Sequence, residues 1–114
     1  MITIEALNEY GADTQNGLAR CMGMKDFYIR LVRMELNDAN FDKLATALEN
    51  QNMQEAFEAA HALKGAIGNL ALTPIYDPVC KITEKLRGAT EPVDTGSLLP
   101  TIQDALARLR ALDA

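Results

Sequence analysis

MQEAFEAAHALKGAIGNLAL, residues 53–72, is the stretch that decides the fold. At about 100° per residue, Met53, Ala56, Ala60, Leu63, Ile67 and Leu70 fall within an arc of roughly 100°, the width of a helix face packed on a core. Asn52, with Glu55 three residues on, resembles a capping box with asparagine in the usual serine or threonine position. The pattern therefore predicts the longest helix of the chain, from about 53 to 71. His61, the only histidine, lies about 100° from the centre of the apolar arc. On that shoulder its base leans on the core and its ring reaches solvent.

Gly65 and Gly68 follow His61 by one and two turns, on the same side. A glycine inside a helix costs about 1 kcal/mol relative to alanine, so two in one helix call for a reason. Gly65 leaves the surface beside the imidazole bare, open to another body. The plainer alternative, stronger for Gly68, is that a neighbouring helix packs closely there. Lys64 shares the His61 surface at a spacing of three. Its ammonium is a charge-assisted donor for an anion held at the ring, or else a lysine whose stem covers the core edge. Phe57, one turn before the histidine, fits either a docking surface or the core.

Working outward, helical spacing recurs almost everywhere and no stretch alternates as a strand. Ile4, Leu7 and Tyr10 define a short first helix stopped by Gly11. Asp13 opens a second with Leu18 and Cys21, ending at Gly23. Phe27, Tyr28, Leu31, Val32 and Met34 carry a third from Lys25 to about Asn37. Phe41, Leu44, Ala45 and Leu48 carry a fourth to about Asn50. The residues at 22, 24, 27, 28 and 34 read as core and lid packing. Two starts compete for the next helix, Thr73-Pro74 and Asp77-Pro78, since a proline is harmless only in the first turn. Either way Val79, Ile82 and Leu86 form its buried stripe and Gly88 ends it. Ser97 caps the last, in which Ile102, Leu106 and Leu109 face inward. The expected architecture is all-α: one domain over residues 1–114, an antiparallel four-helix bundle with short N-terminal covering helices.

Composition removes several functions. Sixteen acidic residues against eleven basic give a net charge of −5, which argues against nucleic acid and anionic membranes as partners. No apolar run approaches the ~20 residues of a membrane span, and the N-terminus lacks the pattern of a signal peptide. Cys21 and Cys80 stand far apart without C-x-x-C spacing, as reduced thiols of a cytoplasmic protein do. Scattered carboxylates, one histidine and two distant cysteines offer no recognised metal spacing. No glycine-rich nucleotide loop is present, so no kinase activity of its own is expected.

Ala60-His61-Ala62-Leu63-Lys64-Gly65, followed by Asn69-Leu70, resembles the signature of histidine-containing phosphotransfer (HPt) domains, the four-helix-bundle intermediates of phosphorelays. Gly17-Leu18, Phe27-Tyr28, Leu31-Val32, Leu44-Ala47-Leu48 and the helix around Cys80 and Leu86 are similar to the family too, so the resemblance covers about residues 11–110. It implies that His61 is phosphorylated, that Lys64 assists the phosphoryl group, and that Gly65 admits the partner. It implies as partners a hybrid sensor kinase and response-regulator receiver domains, which bring the metal ion. No cofactor of the chain's own and a monomeric state are expected. Phe57, Glu58, Ala62, Gly68, Asn69 and Leu72 would surround the histidine as the docking surface. Ala71, where many members carry glycine, and the prolines at 74 and 78 depart from the pattern. The competing expectation is a helical adaptor of the same shape that binds a partner without carrying phosphate.

Overall fold

A computed structural model describes every residue, Met1–Ala114, as seven helices without a strand. Local chemistry sets most of the boundaries. α1 (Ile4–Tyr10) begins where Thr3 Oγ1 accepts the Ala6 N–H at 3.0 Å. It ends at Gly11, whose φ of 111° lies in the left-handed region that glycine enters freely. Asp13 caps α2 (Thr14–Arg20) through the Asn16 N–H at 3.2 Å. α3 (Lys25–Glu35) and α4 (Asn40–Glu49) follow. Asn52 accepts the Glu55 N–H at 3.1 Å, as the capping pattern predicted, and opens α5 (Met53–Asn69).

α5 stops slightly before the expected residue 71, because Ala71 turns left-handed at φ 54°. A Cβ makes that conformation cost about 1 kcal/mol, which gives the departure at Ala71 a physical meaning: glycine would adopt this turn freely. α6 (Thr73–Leu86) takes the earlier of the two competing starts, with Pro74 in its first turn. Pro78 is buried inside the helix, where it forgoes the bond its N–H would have given to the Pro74 carbonyl. α7 (Leu98–Ala111) starts after Ser97, whose side chain does not cap it as expected; the Ser97 carbonyl accepts the Thr101 N–H at 3.0 Å.

α4 packs on α5, α5 on α6 and α6 on α7, giving the four-helix bundle, an elongated body of 43 × 26 × 19 Å. Leu44, Leu63, Ile67, Ile75, Ile82, Leu86, Ile102 and Leu109 are fully buried along its axis and belong to one contiguous apolar cluster. The N-terminal helices cover it through specific bonds. Tyr10 Oη donates to the Ala105 carbonyl at 2.7 Å and Tyr28 Oη to the Leu70 carbonyl at 2.8 Å. Burial pushes the Tyr28 hydroxyl up to about 12, so it remains a donor across the physiological range. Arg110 donates twice to the Leu36 carbonyl at the end of α3. No helix is long and apolar enough to cross a membrane.

One expectation about the cover fails. Tyr28 is fully buried and Phe27 half-buried, but Met22, Met24 and Met34 are 78%, 46% and 64% exposed. Met22 sits in a left-handed turn at φ 57°, and that turn projects its side chain away from the bundle. Met24 is the N-cap of α3, and Met34 lies within α3 away from the buried Tyr28 and Val32, so these methionines are not core and lid packing.

Glu35, near the end of α3, is buried with Oε2 lacking any hydrogen-bond partner. Burial first, then Asp38 beside it, raises its carboxyl from an ordinary 4.5 to about 8. The folded state therefore keeps a proton that the unfolded chain loses from about pH 4.5 upward, and stability falls as pH rises through that window. Glu35→Gln should remove this slope. Urea unfolding of the variant should show a gain of about 1–2 kcal/mol at pH 8, after discount for solvent screening, and little change at pH 4.5. An equal change at both pH values would mean that Glu35 does not titrate in this range.

Candidate functional site

The periodicity of α5 places Ala56, Ala60, Leu63 and Ile67 in the core, each fully buried, and leaves His61 exposed between them. The imidazole stacks on Phe57, with ring centroids 5.6 Å apart and planes 17° from parallel. The Arg87 guanidinium lies over the Phe57 ring at 5.1 Å, within cation–π range. Arg87 also donates to both Glu84 oxygens, at 3.2 and 3.3 Å. These bonds, with a smaller contribution from Lys64, hold the Glu84 carboxyl below its usual range. Phe57 is half-buried, so it serves both readings: part of it joins the core and part supports the histidine.

Beside the imidazole, the two glycines separate. A Cβ built on Gly65 meets nothing within 4 Å, whereas one on Gly68 would stand 2.8 Å from Cε1 of Tyr76. Gly65 thus leaves open surface, and Gly68 makes room for an aromatic ring from α6. The closeness expected from a packing glycine is present at Gly68 alone. Tyr76, Gly68, Gly65, Lys64 and His61 line a cleft of about 320 Å³ together with Asn69 and Arg20. Arg20 Nη1 donates to Asn69 Oδ1 at 3.4 Å, tying α2 to the end of α5.

Of the residues singled out for docking, Glu58, Ala62 and Asn69 are exposed along α5 and Gly68 is partly so. Leu72 is not available: it is fully buried at the N-terminal cap of α6. The chain reverses at Ala71, so the α5 face does not continue to residue 72, and its apolar side chain turns into the core. Arg20, Tyr76, Glu84 and Arg87 escaped the sequence reading. They reach the site from α2, from α6 and from the residue ending α6, and no spacing within α5 points to them. No three histidine, cysteine or acidic side chains converge to hold a metal ion. What the arrangement offers is one exposed nucleophilic ring, an adjacent ammonium, a guanidinium across the cleft, and backbone bare of side chain. The model of the Hpt domain family matches residues 29–112. Among curated proteins, none matched the chain.

Proposed function

The chain belongs to the Hpt domain family, whose members relay phosphoryl groups in phosphorelays, and on that premise we propose that His61 is its phosphoacceptor. The lone pair of an imidazole nitrogen attacks the phosphorus of a phosphoaspartate on a response-regulator receiver domain. The P–N bond forms as the P–O bond to the aspartate breaks, and the bonding pair leaves with the carboxylate; the return step reverses each change. Lys64 donates a charged hydrogen bond to a phosphoryl oxygen. Phe57 holds the ring orientation, and the backbone at Gly65 gives the receiver its approach. A hybrid sensor kinase feeds the relay, through its own receiver domain, and the protein works as a monomer in the cytoplasm.

The observation that carries this reading is the exposed imidazole beside a glycine with nothing within 4 Å of its missing side chain. Incubation with a phosphorylated receiver domain, followed by intact mass at neutral pH, tests it. One acid-labile phosphoryl group, about 80 Da, should appear on the chain. Binding without any gain of mass would favour the adaptor instead.

Gly65 allows a sharper check. Gly65→Ala fills empty space and adds helix propensity, so the variant should gain about 0.5–1 kcal/mol in stability. Gly65→Leu puts a larger side chain where the receiver would sit and should slow transfer about 100-fold, since small misplacements of reacting groups have effects of that order. Thermal melts and single-turnover transfer read both. Unchanged transfer in Gly65→Leu would end the clearance argument.

A further inference from the structure

Arg20 is the last residue of α2 and lies outside the matched residues 29–112, yet it borders the same cleft as His61. Its Nε donates to Asn16 Oδ1 at 3.2 Å and its Nη1 to Asn69 Oδ1 at 3.4 Å. Both acceptors are neutral amides. Arg33, Arg87 and Arg108, by contrast, pair with Asp113, Glu84 and Asp104. A guanidinium carries five N–H donors in a fixed fork suited to phosphate oxygens, so Arg20 keeps donors and charge to spare. The lining of the cleft includes Arg20, Lys64 and His61 and no carboxylate. The acids near it lie outside the lining: Asp13 accepts the Asn16 N–H, Glu84 holds Arg87 and acts more weakly on Lys64, and Asp77 neighbours Tyr76. In a chain of net charge −5, the lining itself is a local cluster of cations.

We propose that Arg20 is a second phosphoryl-binding residue, so that α2 and α5 each supply one cation to the group carried on His61. This rests on the phosphocarrier reading. Asn69 acts as the tether that aims the guanidinium, and Lys64 supplies the point charge. Because the dianion exists only after transfer, the contact stabilises the phosphorylated form over the free one.

The test compares wild type, Arg20→Met and Arg20→Lys, each phosphorylated by two routes: a phosphorylated receiver domain, and phosphoramidate, a small donor that needs no docking. Phosphorus NMR follows the second ionisation of the phosphoryl group, and intact mass follows its loss with time. In Arg20→Met the ionisation should move up by about half to one pH unit, because a favourable positive charge is gone. Its phosphorylated form should decay several-fold faster, with Arg20→Lys between the two. Superimposable titration and decay in wild type and Arg20→Met overturn the assignment. Should Arg20→Met fail to fold, Asn69→Ala, labelled with phosphoramidate so that docking plays no part, removes the tether and should give a smaller shift in the same direction; no shift there also overturns it. If phosphoramidate labels His61 and the receiver does not, the relay reading falls, and the same titration still decides Arg20. Labelling by neither donor removes both.

Discussion

His61→Gln will accept no phosphoryl group and will melt close to wild type. Glutamine preserves polarity and approximate reach but has no nucleophilic ring nitrogen, and His61 is the only imidazole of the chain. The fold has little at stake in the ring, which is exposed and whose aromatic contact is with the half-buried Phe57. Losing that stack removes about 0.5 kcal/mol at a solvent-facing position, and the better helix propensity of glutamine offsets a few tenths of that. Intact mass after incubation with a phosphorylated receiver should show wild type gaining the phosphoryl group and the variant unchanged. The melting midpoints should agree within about 3 °C. Undiminished uptake by the variant would relocate the acceptor to another side chain. A collapse in melting temperature would make the imidazole structural and the proposed role untenable.

Gly17→Ala will have the largest effect on stability, and of opposite sign to Gly65→Ala. A Cβ at Gly17 would stand 2.6 Å from Cε1 of Tyr28 and 2.7 Å from its Cζ and Oη. Tyr28 cannot yield easily: it is fully buried and its hydroxyl is fixed to the Leu70 carbonyl. Overpacking of this kind costs about 1–3 kcal/mol, and the lost tyrosine hydrogen bond adds about 1 kcal/mol. Against these stands at most about 1 kcal/mol of helix propensity. A net loss of about 2 kcal/mol lowers the melting midpoint by about 10 °C in a domain of this size. A double-mutant cycle isolates the cause. In a Tyr28→Leu background, which removes the obstructing atoms, Gly17→Ala should become nearly neutral. An equal loss in both backgrounds would place the strain elsewhere. Arg20 shares α2 with Gly17, so the same substitution should also disturb the guanidinium at the cleft.

The α5 pattern carried most of what was legible in the sequence. One face of apolar residues fixed the buried side, and the exposed shoulder for His61 followed from angle alone. Periodicity reads a single helix, however, and the site is made by several. Arg20 meets Asn69 across 49 positions of sequence, and Tyr76 covers Gly68 because two helices pack at a particular depth; neither fact leaves a trace in spacing. Leu72 was misjudged for a related reason. An apolar residue just past a helix continues the face only if the chain continues straight, and the left-handed turn at Ala71 reverses it. The methionines at 22, 24 and 34 fail differently, since hydrophobic character alone does not distinguish a core residue from one carried outward by a turn, as Met22 is, or set on the solvent side of a helix, as Met34 is. Pro78 shows that a rule about first turns yields when the ring itself is buried in the interior.

The stack of imidazole, phenyl and guanidinium also restricts the direction of chemistry. An imidazole lone pair lies in the plane of its ring, while the phenyl of Phe57 lies against one face, 17° from parallel. The nucleophilic edge is left unobstructed by this stacking, and the phenyl sheet sets the plane in which attack proceeds. If His61 is the phosphoacceptor as proposed, an incoming phosphorus arrives along a track nearly parallel to that sheet, as a card enters a slot. On the proposed relay reading, the receiver's tilt would then be set by an aromatic side chain that takes no part in bond making.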